Sequence, residues 1–397
     1  MTMQQIDYTA LVSGGGPAGL SAAILLAQEG VSVALITPET RSDPRTIALM
    51  APSVRMLAYI GLWPGTLQGQ TAPLKELHIV DDTGTLVQAP RLRFAAAEIG
   101  EEAFGWNIPL DLLIPALEER AIALNIPVIK ARVTGAATSP DHIAVHLDDG
   151  RTLKARVCLA ADGANSSLRE AAGIGVDRWS YDQDALVTSF DHTAPHNFTS
   201  VETHKRDGAF TTVPMPGNRS ALVWMDRPSR IAELLTLPDQ DLAAEIQAGL
   251  HSGLGLISNL GPRKSFPMRG LRARTFAARR TMLVGEASHA FPPIGAQGLN
   301  MSLRDAAHAV DLITGAEDPG SEANMKEFSD LRRSDIFMRQ SAIGFMNTSL
   351  LQAFPPLDLA RVAGLAVVSG FQPLRHWIMR EGLSPSSDLP YAMRKAS

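Results

Sequence analysis

The patterned part of the chain begins with a short apolar run, Tyr8 to Val12, a glycine turn, and a helix-length apolar stretch from Pro17 to Gln28 that Gly30 ends. Val31 to Ile36 supplies a second buried strand. Strands covered on both faces lose polar alternation, so strand, turn, helix and strand in this order predict the opening of a doubly wound α/β nucleotide-binding unit. A further helix is predicted over Ser53 to Ile60, with Gly61 as its stop, and another over Asp111 to Leu124. Strands over Val128 to Ala136, His142 to Leu147 and Leu153 to Ala161 alternate in part, with a turn at Asp148-Asp149-Gly150. The same unit returns at Thr281 to Val284, so it is discontinuous in sequence.

Between Trp179 and Met225 the pattern changes to short β-rich pieces. Ala209 to Val213 and Ser220 to Met225 flank Pro214-Met215-Pro216-Gly217-Asn218, which predicts an antiparallel hairpin. Leu242, Ile246 and Leu250 share one face of a helix over Leu237 to Leu250, with Asp239 or Asp241 as its cap. After Asn300, a helical face forms from Leu303, Ala306, Ala307, Val310 and Ile313, and helices follow over Glu322 to Phe345 and Leu357 to Val368.

At 397 residues, 45% of them hydrophobic and 19% charged, the chain is an ordered globular protein of two or three regions. A net charge of -5 gives no general attraction for nucleic acid. The single cysteine, Cys158, sits in an apolar run and reads as a core residue; an internal disulfide is excluded. The first residues lack the basic and apolar parts of a signal peptide, and no apolar run reaches the roughly 18 residues of a spanning helix. A cytoplasmic location follows as an expectation. Leu357 to Val368 reads as a packed helix or as a contact with a membrane surface. No histidine spacing predicts a metal site.

Gly14-Gly15-Gly16-Pro17-Ala18-Gly19 carries G-x-G-x-x-G directly after a predicted strand. Gly14 allows the turn, Gly16 leaves room for a pyrophosphate, and Gly19 lets helix and strand close on each other. Thr37-Pro38 stands where an acid usually meets a ribose, so either Thr37 or Glu39 is the candidate, and this unit alone does not separate FAD from a nicotinamide. Asp162-Gly163 opens a second glycine loop in which Asp162 holds backbone or cofactor, and Arg169 steadies the loop, pairs with Asp162 or meets phosphate. Gly285 permits a close turn, and Glu286 either accepts ribityl hydroxyls, orients water or is a structural carboxylate. Gly295 and Gly298 allow backbone to approach a planar ring, Pro292 and Pro293 stiffen that loop, and Asn300 caps the next helix or faces the ring.

Together these segments, with Asp43-Pro44-Arg45-Thr46 and Ala48-Leu49, resemble the group A FAD-dependent aromatic hydroxylases, most closely the ubiquinone-biosynthesis hydroxylase subfamily. The resemblance runs through most of the chain, from Gly14 to the terminal helices. It implies an α/β fold with a discontinuous Rossmann-like FAD-binding domain in 1–178 and 276–320, with local excursions of 1–178 into the substrate domain. An inserted antiparallel β-sheet substrate domain lies mainly in 179–275, and a helical region in 321–397. It further implies FAD held by Gly14, Gly16, Gly19, Thr37, Arg45, Asp162, Gly163, Gly285, Glu286, Gly295, Gly298, Leu299 and Asn300, with Arg45 and Pro293 beside the flavin. The family's usual Asp after Gly285 is Glu286 here, a reach longer by one methylene.

By the same resemblance, NAD(P)H is the electron donor, molecular oxygen the cosubstrate, and a C4a-hydroperoxyflavin the oxygen-transferring species. The substrate is a polyprenylated phenol, with a ubiquinone-biosynthesis enzyme complex and a peripheral membrane contact on the inner face as partners. Oligomeric state is not set. Phe210, Thr212, Met215 and Trp224 line an aromatic cavity or form sheet core. His196, His204 and His289 are candidate bases or structural residues, and no catalytic residue is assigned. Arg375, Arg380 and Trp377 meet headgroups or pack a terminal helix. Alternatives are a hydroxylase of a smaller soluble aromatic, an FAD-dependent prenyl reductase, and a non-enzymatic flavoprotein.

Overall fold

The computed structural model describes residues 6–38, 43, 45–65, 67–84, 90–250, 253–292, 296–351, 364, 368, 370–380 and 389–395. The chain opens with β1 (Tyr8–Ser13), α1 (Pro17–Gln28), β2 (Val33–Thr37), β3 (Thr46–Met50), α2 (Ala51–Tyr59), β4 (Ala72–Leu74), β5 (Glu76–Asp81), β6 (Leu92–Ala95), β7 (Gly105–Pro109) and α3 (Leu110–Ala123). β8 (Val128–Lys130), β9 (Val133–Thr138), β10 (Ile143–Leu147), β11 (Thr152–Ala160) and α4 (Ser167–Ala171) follow. Next come β12 (Val176–His192), β13 (Thr199–Lys205), β14 (Gly208–Met215), β15 (Arg219–Asp226), α5 (Pro228–Thr236), α6 (Asp239–Gly249), β16 (Ile257–Ser258) and β17 (Lys264–Ala273). The last stretch holds β18 (Ala277–Ala278), β19 (Thr281–Leu283), β20 (His289–Ala290), α7 (Gln297–Thr314), α8 (Glu322–Leu351) and α9 (Gln372–Ile378).

The fold is α/β, with a Rossmann-like region, an inserted β-sheet domain and a C-terminal helical segment. The first sheet runs β18-β19-β11-β1-β2-β8, and β1 pairs in parallel with both β11 and β2. The middle of its central strands is a continuous apolar run: Ala10, Leu11 and Val12 lie opposite Val157, Cys158 and Leu159, all buried. Cys158 is a core residue, and burial pushes its thiol pKa well up. The expected single strand over Val128 to Ala136 is two. β8 pairs with β2 in the parallel sheet, while β9 turns away to pair with β10.

The second sheet has the order β20-β17-β12-β15-β14-β13-β5-β6. β5 and β6 come from before residue 100 and β20 from after residue 285, so the chain enters this sheet from both parts of the nucleotide region. One face buries Leu186, Phe190, Phe210, Leu222 and Trp224 under Ile231 and Leu234 of α5 and Leu242 and Ile246 of α6. The opposite face buries Ala185, Ala209, Met225 and Met268, with Phe266 and Phe291 packed against them. A small sheet, β3-β7-β4, joins the two regions.

Neither Asp239 nor Asp241 caps α6. Pro238 stands at the cap position, Asp239 is the first helical residue, and its carboxylate pairs with Arg263. The expected helix over Leu357 to Val368 lies outside the described residues apart from Gly364 and Val368.

Candidate active site

β1, β11 and β19 are neighbours in the parallel sheet, and each delivers a loop to its carboxyl end: Gly14–Gly16, Asp162–Ser166 and Gly285–Ala287. Ligands bind at this edge of open α/β sheets. Gly14 has φ of +120°, and a Cβ there would lie 2.1 Å from the Ala161 carbonyl oxygen. A Cβ on Gly19 would lie 1.9 Å from the Gly14 carbonyl oxygen, so α1 rests directly on the turn. At Gly16 a Cβ would meet nothing within 4 Å. Gly16 also holds the N-cap position of α1 without a side-chain hydrogen bond among the described residues, leaving the first N–H groups of the helix facing open space.

Thr37 is buried at the end of β2 with its hydroxyl 3.0 Å from the Pro38 carbonyl, and it abuts the turn where a Gly15 Cβ would stand. Glu39 lies outside the described residues.

In the second loop, Asp162 Oδ2 accepts the Ser167 N–H at 3.1 Å, while buried Oδ1 has no partner among the described residues. Burial raises the pKa of this carboxyl, against the pull of its hydrogen bonds. Gly163, at φ +84°, is open to solvent space. Arg169 is 1% exposed and donates to the carbonyls of Ala287 at 3.0 Å and Ala164 at 2.9 Å. It therefore ties the second loop to the third. Its hydrogen bonds run to carbonyls, not to Asp162.

The third loop is built on a buried carboxylate. Asp305 Oδ2 accepts the Gly285 N–H at 2.9 Å and stands 2.7 Å from His289 Nε2, and Oδ1 accepts Arg332 Nε at 2.7 Å. The charges of His289 and Arg332 hold the Asp305 pKa below the usual range, although burial alone would raise it. Arg332 continues to Asp335, Asp335 to Arg339, and Arg339 to the Gln297 side chain at 3.1 Å. α8 thus grips the segment at Gly285 and again at Gln297. Glu286 is exposed. Ala296, at φ +55°, takes the N-cap position of α7 with no side-chain cap among the described residues, and a Cβ on Gly298 would meet nothing within 4 Å. Leu299 packs on the core of the first region. Pro293 and Gly295 lie outside the described residues.

Asn300 neither caps α7 nor has an amide hydrogen to spare for a ring. It lies inside the helix, donating to the carbonyls of Ala48 at 2.8 Å and Ala296 at 2.7 Å and accepting from Met50 N and Ser53 Oγ. The residue joins α7 to β3 and α2.

Arg45 pairs with Asp43 and lies over the Phe266 ring at 5.4 Å, so it reaches from the first region to the inner face of the second sheet. Its pKa is raised first by the Asp43 hydrogen bond, with Glu286 close enough to add to it. Phe210, Thr212 and Trp224 do not line that inner face. They stand on the side covered by α5 and α6, where Phe210 and Trp224 meet edge to face at 5.2 Å. Strand alternation puts Met215 on the inner side, with Thr211, Val213 and Val223. Phe210, Thr212 and Trp224 thus take the sheet-core alternative, and the alternating half-buried pattern of β14 marks their neighbours as the inner-face residues.

Of the candidate histidines, His196 is satisfied by the Met215 carbonyl and the Phe198 N–H. His289 is paired with Asp305 and stacked on Phe291 at 4.9 Å. His204 is paired with Glu202 at 2.7 Å on β13.

Two uncapped helix N-termini, open space at Gly16 and Gly298, and the unpartnered Asp162 oxygen fit a phosphate-bearing dinucleotide with hydroxyl and ring-edge groups to satisfy. The sequence pattern of the FAD binding domain family matches residues 7–334, and the chain belongs to that family, within the group A FAD-dependent aromatic monooxygenase superfamily. It is 33% identical over 386 residues to the ubiquinone hydroxylase UbiL of Rhodospirillum rubrum, covering 94% of this chain and 89% of that one. It is 29% identical over 382 residues to the 3-demethoxyubiquinol 3-hydroxylase of Escherichia coli, covering 92% and 95%. Among solved structures it is similar to p-nitrophenol 4-monooxygenase PnpA of Pseudomonas putida, with a TM-score of 0.76, 18% identity and coverage of 96% and 99%. The flavin-dependent brominase Bmp2 matches with a TM-score of 0.75 at 14% identity, covering 95% of this chain and 93% of that one, so these likenesses carry the fold alone.

Proposed function

We propose that the protein is an NAD(P)H- and FAD-dependent monooxygenase that hydroxylates a polyprenylated phenol in ubiquinone biosynthesis. One structural observation carries the choice of an apolar substrate over a small charged one. The inner face of the second sheet is a buried apolar layer around Ala185, Ala209, Met225 and Met268, flanked by Val223 and Phe266, and its chemistry suits contact with a prenyl chain. UbiL and the 3-demethoxyubiquinol 3-hydroxylase support the same reading, since each matches over nearly its whole length.

Bound FAD supplies electron transfer and oxygen activation; the residues bind it, orient the ring and exclude water. In this reading the α1 N-terminus over Gly14, Gly16 and Gly19 holds pyrophosphate, and Thr37 meets the adenosine ribose. Asp162 Oδ1 accepts a hydroxyl, and Gly163 leaves room beside it. Gly285 and Glu286 receive the ribityl chain, and the first turn of α7 at Gly298 and Leu299 faces the ring edge. Pro293 and Gly295 complete the ring loop. Arg45 closes the site between the two regions.

A peripheral contact with the inner face of a membrane, and with it a cytoplasmic location, belongs to the same proposal. Phe371 and Trp377 are 56% and 59% exposed beside exposed Arg380. Arg375 is not part of that surface, because it donates to Arg93 O and Glu98. The test is oxidation of NADH or NADPH by FAD-loaded protein, stimulated by a prenylated phenol and coupled to a hydroxylated product. Stimulation by small soluble phenols alone would favour a soluble aromatic substrate.

A further inference from the structure

Register links one transverse row of the second sheet across its strands. His204 lies opposite Ala209, Ala209 beside Met225 by the pairing of Phe210 with Trp224, Met225 opposite Ala185, and Ala185 opposite Phe266, under the Arg45 guanidinium. Glu202 starts the next row, opposite Thr211. Ala209, Met225 and Ala185 belong to the inner apolar face against which Phe291 packs, so Glu202 and His204 stand on that face as well. Lys205, one residue on, reaches over Phe210 and Trp224 on the other side, as alternation requires.

A His–Glu pair on this face is 2% and 6% exposed. Glu202 Oε1 is 2.7 Å from His204 Nε2. An ionised carboxylate only accepts, so Nε2 carries the hydrogen and the neutral ring has its lone pair on Nδ1. That Nδ1 is buried with no hydrogen-bond partner among the described residues. A buried acceptor without a donor is costly unless a ligand supplies the donor. His289 also has an unpartnered Nδ1, but its carboxylate is committed to Gly285 and Arg332 and its ring is stacked on Phe291. On β5 the register partner of His204 is Asp81, whose Oδ1 accepts from Thr83.

We infer that Glu202 and His204 form the proton-accepting pair for the hydroxyl group of a phenolic substrate, a role that rests on the phenol reading of this site. The O–H bond breaks, its proton goes to His204 Nδ1, and the electron pair stays on oxygen. The products are a phenolate and an imidazolium held by the Glu202 carboxylate. No oxidant or reductant is needed. The phenolate ring is the more electron-rich, which is the form an electrophilic hydroxylation uses.

The test is absorbance titration of 4-nitrophenol bound to the FAD-loaded, oxidised protein, because its phenolate has its own visible band and no turnover is required. The bound probe should ionise at lower pH than the free one. His204→Gln should raise the bound pKa by at least about one unit, a tenfold loss of ionisation, with FAD content unchanged. Glu202→Gln keeps the imidazole and its hydrogen bond but removes the charge, so a smaller rise in the same direction is expected, and it decides the matter if His204→Gln does not fold. Ionisation unchanged in the folded variants, or a wild-type protein that binds the probe only as the neutral phenol, overturns the pair's role. If neither 4-nitrophenol nor a prenylated phenol binds at all, the phenol reading itself fails and the pair's role with it.

Discussion

Asp305 accepts the Gly285 N–H at 2.9 Å across 20 residues of chain, so the turn that faces the cofactor edge is fixed by a carboxylate on the helix that follows it. Gly285 needs this support because its φ of +64° is a left-handed conformation, and a Cβ there would press on Ser302 Oγ at 2.9 Å. Asp305→Ala leaves Arg332 buried with half its pairing gone. A loss of about 3–5 kcal/mol is expected from breaking a buried ion pair on one side. Denaturant unfolding measures it, and a change within about 0.5 kcal/mol, the scale of a surface substitution, would rule out the clamp.

Acid should lower the stability of the fold over two pH windows. His308 is buried beside Arg332 and Arg304, and burial first, then those charges, lower its pKa to about 3. A depressed folded pKa means that the unfolded chain binds the proton first. The contribution of His308 is therefore complete above about pH 6.5 and is lost as pH falls toward its folded value, at up to about 1.4 kcal/mol per pH unit. Asp305 and Asp335 are held low by neighbouring charges against the effect of burial, so their contribution is present above about pH 4 and is lost at lower pH. His308→Leu should make the upper window shallower and leave the lower one, with His78 and His192, also held low by burial, supplying what slope remains. Unfolding free energy measured from pH 7 down to pH 4 tests this.

The glycines should separate by what a side chain would meet. Gly19→Ala drives a Cβ against the Gly14 carbonyl and should destabilise the apoprotein. Gly16→Val and Gly298→Glu enter open space, so the apoprotein should keep its melting temperature while FAD affinity falls at least about tenfold, or 1.4 kcal/mol. Flavin fluorescence titration beside a thermal melt of each apoprotein distinguishes the classes. Undiminished FAD binding by both open-space variants would contradict their placement at the cofactor.

Phe210→Ala should behave as a core truncation, costing about 3–5 kcal/mol, because its ring lies under α5 and α6. Met215→Ala, on the inner face, should change KM for a phenol more than it changes stability. The reverse pattern, read from melts and initial rates, would move the pocket to the other side of the sheet.

The first region was legible because its signals are local. Pro17–Gln28 has its expected bounds, and the geometry at Gly14, Gly16 and Gly19 is that of a turn, an opening and a close contact. What was not legible depends on partners distant in sequence. Asn300 reads as a cap until Met50 and Ala48 are seen against it, some 250 positions away. Phe210 and Trp224 read in sequence as cavity lining or sheet core, and the choice of core is made by α5 and α6, which only the folded sheet reveals. The β5 and β6 strands join the second sheet through the parallel pairing of β5 with β13, which no local pattern announces.

Hydroxylation of the ring is read directly from product mass after FAD-loaded protein, NADH or NADPH and a polyprenylated phenol react under oxygen-18 gas. One labelled oxygen atom on the aromatic ring is expected, with reduced cofactor consumed in proportion to product. Cofactor oxidation that yields only peroxide, or a product that has gained two hydrogens and no labelled oxygen, would contradict it.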